Sequence, residues 1–400
     1  MRRQPWLWIV AGFLVTIVGV SWYIGRVNTT HPAPWPNAGG DSGFRNAAGA
    51  PMPAAVTGEK RVTLDSNASA SAPVVGVDGT IYIANGSKVL AYSQDLKRRW
   101  AWDSRARINA VALGRQGQVF ALSEQMLYAL SPEGALRWQK ELDISDPVGF
   151  FVGQGGTIYA SGTDMLYAFA DDGTVKWRFR GENMTAGPIE LSSGRLAVVI
   201  GRTVYVLDRY GETVRSWPLA ASNSTFRLAA GPGGALFVTT GNQFLRFNAQ
   251  GQLQETTDLE PSFANFLAAG KGFTQVGYTR WTDDMGDQVW RVPASADGRV
   301  AYVVVDSAGN TLVYEWSPTI RRSMRPQWRN QGNTLQYEWN PVVRRTDMPT
   351  LRLLDSKGNE LWARELTGLA NLPAVTGTGS ICYPEFTEAQ GLALTCLSGG

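Results

Sequence analysis

Histidine is almost missing from this chain: its 400 residues contain one, His31, which precedes every repeated segment. That scarcity excludes a Ser-His-Asp triad, a histidine-ligated zinc and an imidazole general base from the repeated region. No Gly-x-Ser-x-Gly elbow and no Gly-x-x-x-x-Gly-Lys-Ser/Thr loop occurs, so neither the usual hydrolase nucleophile turn nor a P-loop is available. Cysteine is limited to Cys382 and Cys396, which are not adjacent. The carboxylates Asp283, Asp284 and Asp287 come nearest to a ligand cluster. They lack the loop pattern of a calcium site and are expected to be a polar turn. The expectation is no catalytic residue, no metal and no cofactor. A formal charge of +3, from 37 basic and 34 acidic side chains, is too small to imply a partner.

Glycine is plentiful, 44 residues, and it recurs in phase. Gly79-Thr80-Ile81-Tyr82, Gly117-Gln118-Val119-Phe120, Gly156-Thr157-Ile158-Tyr159, Gly194-Arg195-Leu196-Ala197 and Gly234-Ala235-Leu236-Phe237 repeat every 38 to 40 residues. Each is followed by a second apolar run, a turn, and a segment carrying Trp100, Trp138, Trp177 or Trp217. A period of this length signals a stacked or circular array. Within one unit the runs are short, aromatic and β-branched, and Gly162-Thr163-Asp164 and Asp171-Asp172-Gly173 separate them as turns. With Val148-Gly149-Phe150-Phe151-Val152 upstream, the unit is four short antiparallel strands, the size of a propeller blade.

The wording of the unit resembles the PQQ-like β-propeller repeat, most closely at Gly134-Ala135-Leu136-Arg137-Trp138, Gly173-Thr174-Val175-Lys176-Trp177 and Gly358-Asn359-Glu360-Leu361-Trp362. The likeness is good over 72–260, fair over 346–400 and poor between. It implies an all-β propeller of four-stranded antiparallel blades in which the Trp packs between neighbouring blades. It does not fix function, because such blades serve both quinone-dependent dehydrogenases and non-catalytic assembly factors such as the propeller subunit of the outer-membrane β-barrel assembly machinery. The dehydrogenases carry a vicinal cysteine pair that this chain lacks, which disfavours that reading.

Last-strand positions fall near 100, 138, 177, 215, 255, 290 and 362. The last interval, nearly two periods, predicts one degenerate blade inside it. Three strand-like runs follow Trp362, and Arg61 to Asp65 supplies a fourth, closing the ring with a strand from each terminus and removing an exposed edge. Eight blades are predicted, with seven as the alternative. Cys382 and Cys396 are symmetric about Ala389, so a hairpin centred there sets them opposite each other within disulfide range.

Between 298 and 349 the repeat gives way to a different duplication, Gly309-Asn310-Thr311-Leu312-Val313-Tyr314-Glu315-Trp316 recurring as Gly332-Asn333-Thr334-Leu335-Gln336-Tyr337-Glu338-Trp339. An offset of 23 residues is too short for a blade, so a basic insert at about 309–345 is expected to be an extended hairpin or paired strands. Trp316, Arg321, Arg322, Arg325, Trp328, Arg329, Trp339, Arg344 and Arg345 are its candidate partner-binding residues, because arginine forks bind phosphate and carboxylate and aromatic rings anchor interfaces. A solvated hairpin whose long side chains cover neighbouring surface is the alternative.

Residues 4–25 carry no charge, enough at 1.5 Å per residue to cross a hydrocarbon core of roughly 30 Å. Trp6, Trp8, Trp22 and Tyr23 stand at its ends, and Arg2 and Arg3 precede it. Residues 1–26 are therefore expected to be a cytoplasmic start and transmembrane signal anchor, with 6–25 in the cytoplasmic membrane. Residues 27–60 are expected to be a Pro-, Gly-, Ala- and Ser-rich tether, and 61–400 an extracytoplasmic propeller, periplasmic or at the outer surface. A cleaved signal peptide is the alternative. The functional expectation is a protein-interaction or assembly scaffold with envelope or membrane protein partners. A sensor or binding domain for an anionic envelope polymer is the alternative. A domain outside the membrane meets little nucleic acid.

Overall fold

The computed structural model describes residues 33–38, 40–41, 45–65, 69–220, 226–240, 243–258, 267–270, 273–276, 279–282, 288–291, 299–316, 320–331, 334–345, 349–368, 371–387 and 391–399. The expected anchor, 1–26, and the carboxylates at 283, 284 and 287 lie outside them. Among the described residues no helix is long and apolar enough to cross a membrane.

These residues form an all-β propeller, with eight four-stranded antiparallel sheets and one separate two-stranded hairpin among them. Sheet 1 contains Val74–Val75, Ile81–Asn85, Lys88–Tyr92 and Arg98–Asp103. Sheets 2 to 5 repeat that up-and-down order, starting at Ile108–Leu113, Gly149–Val152, Met184–Glu190 and Phe226–Ala230 and ending at Leu136–Glu141, Val175–Arg180, Thr213–Pro218 and Leu253–Asp258. Sheet 6 runs from Leu267–Gly270 to Gln288–Arg291 and is described by its backbone only.

The strand pattern follows from the sequence. Where burial is described, the two middle strands are largely apolar at consecutive positions, as in Ile81–Asn85 and Val119–Ser123, and are buried on both faces between neighbouring sheets. Outermost strands such as Arg98–Asp103 and Val175–Arg180 alternate exposed and half-buried positions, so one face meets water. Neighbouring sheets meet chiefly through their first strands, which places those strands at the centre.

Sheet 7 departs from the expectation of an extra degenerate blade between 290 and 362. Arg299–Val305, Thr311–Trp316, Thr350–Leu354 and Glu360–Glu365 make a single sheet. The hairpin of Ile320–Gln331 and Thr334–Arg345 is inserted between its second and third strands. The extra length is an insertion within one unit. The two duplicated segments have different places: Thr311–Trp316 of the first lies in sheet 7, and the matching residues 334–339 of the second lie in the hairpin.

Sheet 8 is completed from both ends of the described chain. Ala374–Val375, Ile381–Thr387 and Gly391–Ser398 are joined by Gly58–Thr63, which pairs with Gly391–Ser398 in the order Gly58 to Ser398 through Thr63 to Ala393. The strand begins three residues before the expected boundary at 61. Cys382 and Cys396 are register partners and are disulfide-bonded, with Cα atoms 4.1 Å apart.

The main correction concerns the tether, because its described residues between 33 and 57 do not hang free of the propeller. Trp35 is fully buried, and Asn37, Ala48 and Met52 are buried with it. Trp35 exchanges backbone hydrogen bonds with Val75 of sheet 1, and the Leu113 amide of sheet 2 donates to Pro36 O at 2.9 Å. The Asn37 side chain bonds both backbone groups of Val152 in sheet 3, donating at 3.1 Å and accepting at 2.9 Å. Further on, Val305 of sheet 7 donates to Asn46 O and accepts from the Ala48 amide, and the Met52 amide donates to the buried Asp306 carboxylate at 2.6 Å. Val75, Leu113, Val152 and Val305 all end central first strands. The segment is therefore a strap that crosses one end of the propeller axis from sheets 1 to 3 to sheet 7.

Candidate interaction surface

Among the described residues, the first three interblade joints use the repeated Trp as expected. Trp100 on sheet 1 lies beneath the last turn of sheet 2 and donates its indole N–H to Pro132 O at 2.8 Å. Trp138 repeats this on Asp171 O at 2.9 Å and Trp177 on Arg209 O at 2.8 Å. The turn glycine beside each ring has no room for a side chain. A Cβ on Gly134, at φ +88°, would stand 2.6 Å from the Trp100 ring. Trp217 departs from the pattern: its indole N–H is buried without a partner, and the matching carbonyl, Ala249 O, accepts instead from Arg215 at 2.8 Å. Trp362 on sheet 7 has no such turn in sheet 8 to meet, and it donates to Pro53 O of the strap at 2.8 Å.

Grooves lie beside two of these joints. The one between sheets 1 and 2 encloses about 660 Å³ and is floored by Tyr82 and Trp100, with Asp78, Arg99, Arg115 and Glu133 around it and Ala33 at its edge. Burial raises the Asp78 carboxyl, but hydrogen bonds from Thr80 and Arg99 outweigh it and hold the pKa below the usual range. That volume suits a small ligand. A smaller groove of about 340 Å³ recurs one joint further on, beside Trp138, Asp171 and Asp172. Recurrence at successive joints makes the grooves a product of blades splaying from the axis.

Charge is concentrated where the ring closes. The buried Glu385 carboxylate accepts from Arg61 at 2.8 Å and from Thr395 at 2.6 Å. Glu59 on the N-terminal strand receives two hydrogen bonds from Arg364 of sheet 7, at 2.7 and 2.9 Å. The Arg364 hydrogen bond holds the Glu59 carboxyl below its ordinary pKa, and its carboxylate partners raise the Arg364 guanidinium. Burial, with Glu385 adding to it, raises the Tyr383 phenol. In sheet 3, burial and the neighbouring Glu190 charge push Tyr159 up to about 12. Among the described residues no group of three or more His, Cys, Asp or Glu is placed to hold a metal ion.

The candidate residues of the basic insert divide between two elements. Trp316 ends the second strand of sheet 7, paired with Arg299. Arg321, Arg322, Arg325, Trp328 and Arg329 lie on the first hairpin strand and Trp339, Arg344 and Arg345 on the second. The ladder pairs Arg321 with Arg344, Trp328 with Tyr337 and Pro326 with Trp339. The sequence reading missed the strap. Its only signal was Trp35-Pro36-Asn37, one large ring and one amide amid small residues.

Four-stranded sheets joined through Trp–Gly contacts define a β-propeller built of PQQ-like repeats. Residues 123–256 match the family described as outer membrane protein assembly factor BamB. Over those residues, about a third of the chain, the sequence is similar to the PQQ-like β-propeller repeats of that family. BamB from Moraxella catarrhalis shares the fold at 14% identity and a TM-score of 0.59, over 86% of this chain and 97% of that one. The quinohemoprotein alcohol dehydrogenase from Comamonas testosteroni shares it at 12% identity and a TM-score of 0.67, over 94% and 82%. At such identities both likenesses are of fold alone, and one of the two is an enzyme. No curated protein sequence matches the chain.

Proposed function

We propose that this protein is a non-catalytic interaction scaffold, held to the cytoplasmic membrane by residues 6–25 with its N-terminus cytoplasmic and its propeller outside, on which envelope proteins assemble. The match of residues 123–256 to an assembly-factor family carries the reading. The strap supports it, because the chain itself occupies one end of the axis, where Trp35 and Asn37 are buried against the central strands. Binding is then left to the opposite end of the axis, the outer surfaces and the hairpin that interrupts sheet 7. The insert residues, Arg321, Arg325 and Arg329 among them, are the proposed contact set, with an anionic envelope polymer as the competing ligand class.

The test is crosslinking and affinity capture from membranes, comparing the full chain with a variant whose residues 317–348 are replaced by a short Gly-Ser turn. Capture of specific envelope proteins by the full chain is expected, weakened in the variant. Capture of no protein by either form would overturn the scaffold reading. Retention of a soluble anionic polymer, lost at high salt, would favour the competing class.

A further inference from the structure

The register of the hairpin divides its residues into two chemically different sets. Partners across an antiparallel ladder share a side, and positions along a strand alternate sides. The pairs Arg321 with Arg344, Arg325 with Asn340 and Arg329 with Gln336 place four arginines at positions of one side. The pairs Met324 with Pro341, Pro326 with Trp339 and Trp328 with Tyr337 define the other side. That side is mainly apolar and aromatic, with Arg322 and Arg345 at the end nearest sheet 7 and Asn330, paired with Leu335, at the other end. Each strand has 12 residues, so the ladder extends about 40 Å at about 3.4 Å per residue.

We propose that this hairpin lies in the surface of an anionic lipid bilayer, its aromatic side toward the acyl boundary and its arginines among the head groups. The inference rests on the extracytoplasmic, membrane-held placement proposed above. Residues 320–345 hold six arginines against one glutamate, which complements a negative surface. Trp328, Tyr337 and Trp339 fall together toward the turn, and these side chain types favour the water–lipid boundary. A two-stranded hairpin is marginal in water by itself, and a bilayer surface stabilises an amphipathic element lying flat on it. A protein groove closed over the aromatic side is the poorer fit, because the four arginines would lie away from it; with that side on lipid, the arginine side stays open to the envelope-protein contacts proposed above.

The test uses the full chain reconstituted into vesicles of phosphatidylcholine alone or mixed equally with phosphatidylglycerol. An environment-sensitive fluorophore is attached to Trp328→Cys, the native cysteines being disulfide-bonded. A second label at Gln331→Cys covers the case in which the first variant fails to fold, and Tyr210→Cys, on the propeller surface, is the control. Brominated acyl chains are expected to quench the hairpin labels in the mixed vesicles. Quenching is expected to be lost in phosphatidylcholine alone, at high salt, or when Arg321, Arg325 and Arg329 are all changed to Glu. Equal quenching in both vesicle types, or free access of aqueous iodide to the label in both, overturns the inference. Protection that appears only when an envelope protein is added overturns it while leaving the scaffold reading intact. Lipid-dependent quenching with no protein captured in the preceding experiment supports the inference while removing the scaffold reading.

Discussion

Trp362 donates its indole N–H to the carbonyl of Pro53, 309 residues earlier in the chain, at 2.8 Å. The same bond joins Trp100 to Pro132 within the regular repeat. The strap thus supplies to the last joint the carbonyl that a blade turn supplies elsewhere. Trp362→Phe keeps most of the ring's packing and removes the bond, so a loss of about 1 kcal/mol is expected in urea unfolding. The same change at Trp217, whose indole N–H has no partner, is expected to cost less or to stabilise.

The Asn37 side chain satisfies both backbone groups of Val152. Asn37→Ala leaves a buried amide and a buried carbonyl without partners, and a loss of about 2 kcal/mol is expected. Hydrogen exchange should show the Val152 amide losing protection first. If that amide exchanges unchanged, the strap is not held by Asn37.

The joint glycines give a graded test. Gly134→Ala combines a left-handed backbone at φ +88° with a clash against Trp100. Gly201→Ala, at φ +57°, has nothing within 4 Å of the new Cβ. Gly201→Ala is therefore expected to cost about 1 kcal/mol from backbone strain alone, and Gly134→Ala distinctly more. Chemical denaturation of the two variants measures the difference.

Reduction of Cys382–Cys396, closing a loop 14 residues in sequence separation, is expected to lower stability by about 3 kcal/mol in the chain-entropy model. The comparison is unfolding with and without reductant, with Cys382→Ser/Cys396→Ser as the matched variant. Because Lys60 of the N-terminal strand pairs with Cys396, the loss should also appear as faster exchange in Gly58–Thr63.

Acid should weaken the closure. The Arg364 hydrogen bond holds the Glu59 carboxyl below its ordinary value of 4.5, so its stabilising contribution is present above that value. It is lost as pH falls from there through the lower folded-state pKa. Asp65, held down by Lys88 and Arg98, acts in the same direction. Thermal midpoints measured downward from pH 6 should fall, and Glu59→Gln should flatten the slope. An unchanged slope would show that Glu59 does not titrate differently in the folded state.

Much of the fold was legible in the sequence because a repeat states its own period. Gly134, Gly173 and their counterparts mark the turns and Cys382 and Cys396 mark a register from local spacing, while the resemblance to the PQQ-like repeat marks Trp100, Trp138 and Trp177 as joints. The joining of Gly58–Thr63 to the last sheet was also legible, since three strands after Trp362 lacked a fourth. The strap was not. Composition places Pro- and Gly-rich residues in a linker, while Trp35 and Asn37 are held by partners in sheets 1 and 3 that no local pattern relates to them. Nor did the interval from 290 to 362 show whether it held a further unit or an insertion. Hydrogen bonding of Thr311–Trp316 to Thr350–Leu354 decided that, and such pairing between distant segments exists only once the chain has folded. The sequence by itself determined the repeat and its turns, because those are local. Tertiary structure alone decided what crosses the axis and which residues share a side of the hairpin, because both depend on long-range register.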